Sequence, residues 1–221
     1  MLQSYIFHIF IVTFMFSGAV WGDPVEASKD LVTRGGGICL IGCTAGTEIV
    51  GMLIKLQNDL QPKLSELDDC YTTGTDPTNV MNDINALFSG TSSGISNLPL
   101  DLTGLLNGKG PKIINLWTGV LSGLVEHSAK WNNERNLNAR GISGDIFAGL
   151  LVQITTAVVS AQATLMAAFG NLQNLGSQLL DASKPHWEQL QEQLVGHGLN
   201  VLGSISETIN NLLGSIMGGS P

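Results

Sequence analysis

Charge is what this chain has least of. Only 13% of its 221 residues are Asp, Glu, Lys or Arg, about half the usual share for a soluble domain. Ten basic residues stand against eighteen acidic ones, a formal net charge of -8. That balance excludes the basic surface nucleic acid requires, and with it a nucleic-acid partner. It equally excludes electrostatic docking on anionic lipid. A surface this poor in charge has to be covered by Ser, Thr, Asn, Gln and Gly, a composition that favours interfaces and assembly.

Catalytic and metal-binding patterns are scarce too. There is no CxxC, no Cys/His cluster at zinc-site spacing and no HExxH, so no metal or other cofactor is expected. "NGKGPK" lacks the spacing and trailing hydroxyl of a phosphate loop, and no N-x-Ser/Thr acceptor occurs. "GTSSG" at 90–94 spells G-x-S-x-G with Ser92 in the nucleophile position. That motif works only on a tight strand-to-helix turn; here it falls in a Gly/Ser-rich stretch, 89–101, that reads as a connector. His127, His186 and His197 are nowhere four residues apart and read as surface or capping groups. Asp68 and Asp69 read as flanking a turn beside Cys70. No catalytic residue is expected, and the chain reads as a non-enzyme.

The N-terminus is the longest stretch without charge before the middle of the chain. Residues 1–22 read as a cleaved signal peptide: an apolar run from Ile6 to Phe16, then small residues ahead of Asp23. The run is shorter than the ~20 residues of a membrane span. The expectation is a secreted, extracellular protein whose residues 23–221 form a single helical domain with a flexible lead ending in "RGGG" and a C-terminal tail. Its three cysteines, Cys39, Cys43 and Cys70, are an odd number for a secreted chain. They suggest one disulfide and a thiol that either stays free or links a homo-oligomer. Cys39 and Cys43 lie one helical turn apart, a spacing that suits a bridge poorly. A bridge from either to Cys70 is expected, closing a loop of roughly thirty residues worth about 3 kcal/mol in the chain-entropy model.

What the chain does have is helical periodicity. Ile49, Leu53, Leu56, Leu60, Leu64 and Leu67 form one stripe, with Pro62 set to kink it or start a second helix. Val80, Ile84, Leu87 and Phe88 form a short face. Pro111 opens a helix carrying Ile113, Ile114, Trp117, Val120, Leu121, Leu124 and Val125. A helix from Ile146 towards Leu180 is expected to stop at Pro185, and a last one from about His186 to carry Trp187, Leu190, Leu194, Leu202, Ile205, Ile209, Leu212 and Ile216. No segment alternates with period two. The fold expected is all-α, a bundle of about five to six amphipathic helices. "GCTAG" (42–46) and "GVLSG" (119–123) are G-x-x-x-G pairs that let helices pack closely.

Nothing ionises between Asp145 and Asp181. Leu150, Ile154, Val158, Leu165 and Phe169 lie beside a stripe of small, mildly polar residues: Gly149, Gln153, Thr156, Ser160, Ala163 and Ala167. This low-contrast amphipathic pattern, with no Lys or Arg close by, suits a helix within a bundle better than a membrane span. These five large residues are the candidate apolar-ligand or membrane-facing set. The function expected is binding of hydrophobic small molecules or lipid interfaces. A secreted, self-assembling structural protein and a pore-forming or membrane-active protein deploying 146–169 are the alternatives.

Overall fold

The computed structural model describes residues 38–39, 43–101, 106–132, 144–169 and 172–196. The expected signal peptide, the lead and the tail lie outside them. Five helices make up nearly all of this: α1 (Ala45–Thr73), α2 (Thr78–Ser96), α3 (Gly110–Ala129), α4 (Gly144–Phe169) and α5 (Gln173–Gly196). A two-residue parallel pairing of Ile38–Cys39 with Leu100–Asp101 is the one extended element among them. The all-α bundle read from periodicity is the fold.

The helices form two layers. Lys63 of α1 pairs with Asp83 of α2, and Met52 lies against Gly94, so α1 and α2 are antiparallel. On the other side of α1, Leu64 meets Gly123 and Asp68 meets Lys130, so α3 runs parallel to α1. Leu175 packs on Gly110, and Gln193 bonds to Ser128 and Val125, so α5 runs parallel to α3. Three parallel helices, α1, α3 and α5, therefore make one layer. Helices α2 and α4 make the other, and theirs is the most extensive helix–helix contact among the described residues. The main contacts close into a ring in the order α1, α2, α4, α5, α3.

The core lies between the layers. Every member of the α1 stripe is buried, as is the whole apolar set of α3. Trp117 sits at the centre, edge-on to Phe88 of α2 at 6.2 Å between ring centroids. Trp131, just past α3, stacks on Phe147 at the start of α4 (4.9 Å) and meets Tyr71 of α1 edge-on (5.5 Å). All three tryptophans in the described part are thus core anchors.

Several sequence expectations need correction. Helix α1 runs unbroken past Pro62 to Thr73, closed by Gly74 in the left-handed conformation (φ 73°). Helix α5 likewise contains Pro185. Both prolines are exposed, and the residues four before them, Asn58 and Asp181, whose carbonyls lose a helical partner, are exposed too. The long helix ends at Phe169, not near Leu180, and a separate helix begins at Gln173; the Leu172 N–H bonds to the Phe169 carbonyl. The Gly/Ser stretch is not a connector: α2 continues through it to Ser96, because Ile95 extends the Ile84–Phe88 stripe into the core. Asp68 and Asp69 lie within α1 and not in a turn.

The Cys70 bridge is also overturned. Cys70 is a free thiol, buried among the α1 core residues. Its burial fits its place next in the stripe after Leu67.

One close approach fixes a glycine. A Cβ on Gly46 would stand 2.0 Å from the Leu106 carbonyl oxygen. Leu106 itself is buried with φ 42° and opens a short left-handed stretch through Asn107 and Gly108. Gly46 of the first G-x-x-x-G pair thus admits a backbone turn instead of another helix.

Candidate functional site

The five candidate residues on α4 divide simply. Ile154, Val158, Leu165 and Phe169 are buried in the core, and Leu150 is half-buried beside it. The small stripe faces outward: Gly149, Gln153, Thr156 and Ser160 are exposed, Ala163 and Ala167 half-buried. Gly149–Phe169 is 21 residues long and, by length and composition, apolar enough to cross a membrane; more than half of its residues are buried within the bundle.

Helix α4 is held by hydrogen bonds rather than charge. Among the described side chains, no ion pair reaches it. Gln162, 3% exposed, accepts from two indoles on one carbonyl oxygen: Trp117 Nε1 of α3 at 3.0 Å and Trp187 Nε1 of α5 at 2.9 Å. Thr164 bonds to Ser92 of α2 at 2.9 Å. Ser92, the formal nucleophile position, is therefore mid-helix and engaged with a hydroxyl, with no strained turn to expose it. Sequence reasoning missed Gln162. An uncharged Gln amid apolar residues at the inward spacing of Val158 and Leu165 was the available signal.

A second cluster joins α1 to the end of α3. Asp68 Oδ2 accepts from Lys130 Nζ at 2.6 Å, and His127 Nδ1 stands 2.9 Å from the same oxygen without the alignment of a hydrogen bond. His127 is thus mostly buried against a carboxylate, not a surface group. Asp68 Oδ1 and Trp131 Nε1, both buried, have no hydrogen-bond partner among the described residues. A carboxylate beside an imidazole orients a general base, but the nearest hydroxyl along α3, Ser128, is buried in its own bond to Gln193 Oε1 at 2.8 Å. The cluster ties helices together. Among the described residues no group of three His, Cys, Asp or Glu side chains is placed to hold a metal.

His186, on α5 beside Trp187, has its pKa lowered by partial burial. Asp76, just before α2, is lowered by hydrogen bonds from the Thr78 hydroxyl (2.6 Å) and backbone N–H (2.9 Å).

The class the fold defines is an all-α bundle of two helical layers, one of which contains a helix with no charged residue after Asp145. No family model, curated protein or solved structure matches the chain.

Proposed function

We propose that this is a secreted, non-enzymatic helical protein that binds hydrophobic small molecules or lipid interfaces with the apolar side of α4. One observation carries the reading: a helix long and apolar enough for a membrane is stored inside a bundle and held there without ion pairs. Moving it onto an apolar ligand or lipid exchanges one apolar neighbour for another, so little hydrophobic stabilisation is lost. The net charge of -8 directs this binding to neutral or zwitterionic partners. Native mass spectrometry of the secreted protein without reductant tests it. Lipid that strips off at higher collision energy supports the proposal. A bare protein that also fails to float with phosphatidylcholine vesicles overturns it.

Secretion carries a disulfide with it. With Cys70 a buried thiol, the pairing we propose is Cys39 with Cys43. The helical-spacing objection falls away, because Ile38–Cys39 is extended and α1 begins only at Ala45. The same spectra, recorded on peptides, would show a 39–43 fragment lighter by two hydrogens. Assembly through the odd cysteine has less support, since Cys70 would have to leave the core to link two chains.

A further inference from the structure

We infer that the seam between α4 and α5 is the entry through which an apolar ligand reaches the core, and that the Gln162–Trp187 hydrogen bond is its clasp; the inference rests on the binding function proposed above. Four observations converge on this seam.

First, α4–α5 is the slightest of the five helix contacts that close the ring. Second, α5 is anchored to α3 at both ends, by Leu175 on Gly110 and by Gln193 on Ser128 and Val125. Third, α4 is anchored to α2 by their broad packing and by the Ser92–Thr164 bond. Fourth, the one hydrogen bond between α4 and α5 side chains among the described residues is Trp187 Nε1 to Gln162 Oε1. Separating α4 from α5 therefore leaves every other anchor in place. It opens a way to the buried apolar side chains of both helices, and no buried Asp, Glu, Lys or Arg is among the described core residues.

Gln162 suits a clasp because its oxygen is shared. When Trp187 withdraws, Trp117 still donates to the same oxygen, so the amide oxygen is not left unpaired in the opened core. The neutral outer face of α4 brings no charge that an uncharged ligand would have to desolvate.

The test compares two substitutions of the same chemistry, Trp187→Phe and Trp117→Phe. Each removes one indole donor to Gln162, but only the first crosses the seam. Stopped-flow uptake of Nile red, a neutral apolar dye, is read on the full secreted chain. Trp187→Phe should speed uptake roughly fivefold, the effect of losing one net hydrogen bond across the seam. Trp117→Phe should leave the rate near wild type. In the wild-type protein, independent of either variant, the Trp187 indole N–H should exchange with solvent faster than that of Trp117. If wild type takes up no dye and binds no phosphatidylcholine vesicles, the proposed function fails and the entry with it. If dye enters but both variants behave alike, or the Trp117 indole exchanges first, binding stands and the seam is wrong.

Discussion

The two layers of this bundle stay in water by different means. Helices α1, α3 and α5 carry charges along their outer faces, among them Lys55, Asp59 and Glu66 on α1 and Asp181, Lys184, Glu188 and Glu192 on α5. Helices α2 and α4 carry only Asp83 and Asp145, and cover themselves with Ser, Thr, Asn, Gln, Gly and Ala. Both layers bury the same kind of inward face. The charged layer is committed to solvent, since its outer side chains cannot enter an apolar medium without large cost. The uncharged layer carries no such commitment. Under the function proposed above, α4 lies in the layer with fewer charges to move into an apolar medium.

The sharpest way to break this comparison is to put a charge on each side of α4. Val158→Lys places an ammonium in the core and should cost more than ~4 kcal/mol, enough to unfold the domain. Ser160→Lys, on the exposed face, should change stability by less than ~0.5 kcal/mol. Urea denaturation measures both; comparable effects would mean that α4 is not buried as described. Next in size is Gln162→Leu. It leaves the Trp117 and Trp187 indoles unpaired in the core, and a loss of about 2–4 kcal/mol is expected at ~1–3 per buried donor, partly relieved by relaxation. A silent substitution would remove the link between layers.

A third contrast uses two glycines. Gly46→Ala forces a Cβ against the Leu106 carbonyl and should cost ~1–3 kcal/mol. Gly149→Ala meets nothing within 4 Å and should stabilise α4 by up to ~1 kcal/mol. Thermal melts report the sign of each. The smallest effect is electrostatic and belongs to the charged layer. Burial lowers the His186 pKa, so the unfolded chain takes up the proton first. The associated stability is complete above the ordinary imidazole range near 6.5 and is lost as the pH falls through the lowered value. His186→Gln should flatten this part of the stability–pH curve, followed by chemical denaturation at pH 5 and pH 7.5. An unchanged slope would place the proton-linked group elsewhere.

Where apolar spacing is strong, sequence was a good guide. The α1 and α3 stripes lie in the core residue by residue, and Pro111 stands in the first turn of α3. Errors gathered where local chemistry and tertiary packing disagree. Pro62 signals a kink or a new helix and Pro185 a stop, yet each lies at an exposed position inside a continuous helix. Gly and Ser at 89–94 signal a linker, yet Ile95 and the Ser92–Thr164 bond hold that turn as helix. The true break after Phe169 was masked by an apolar pattern that runs on across it to Leu179 and Leu180, because both α4 and α5 use such residues for the same core. Gln162 was passed over because a lone glutamine carries no signal until its two indole partners are brought to it from 45 residues before and 25 after.

By itself, the sequence determined that the chain is helical, acidic, poor in charge and built around a long helix with nothing to ionise, because periodicity and composition are local properties. Only the tertiary structure decided that this helix turns its small stripe to water and most of its large residues inward, that Cys70 is enclosed, and that α4 is bound closely to α2 and lightly to α5. Those outcomes depend on which faces meet across the core, and packing between distant segments sets that.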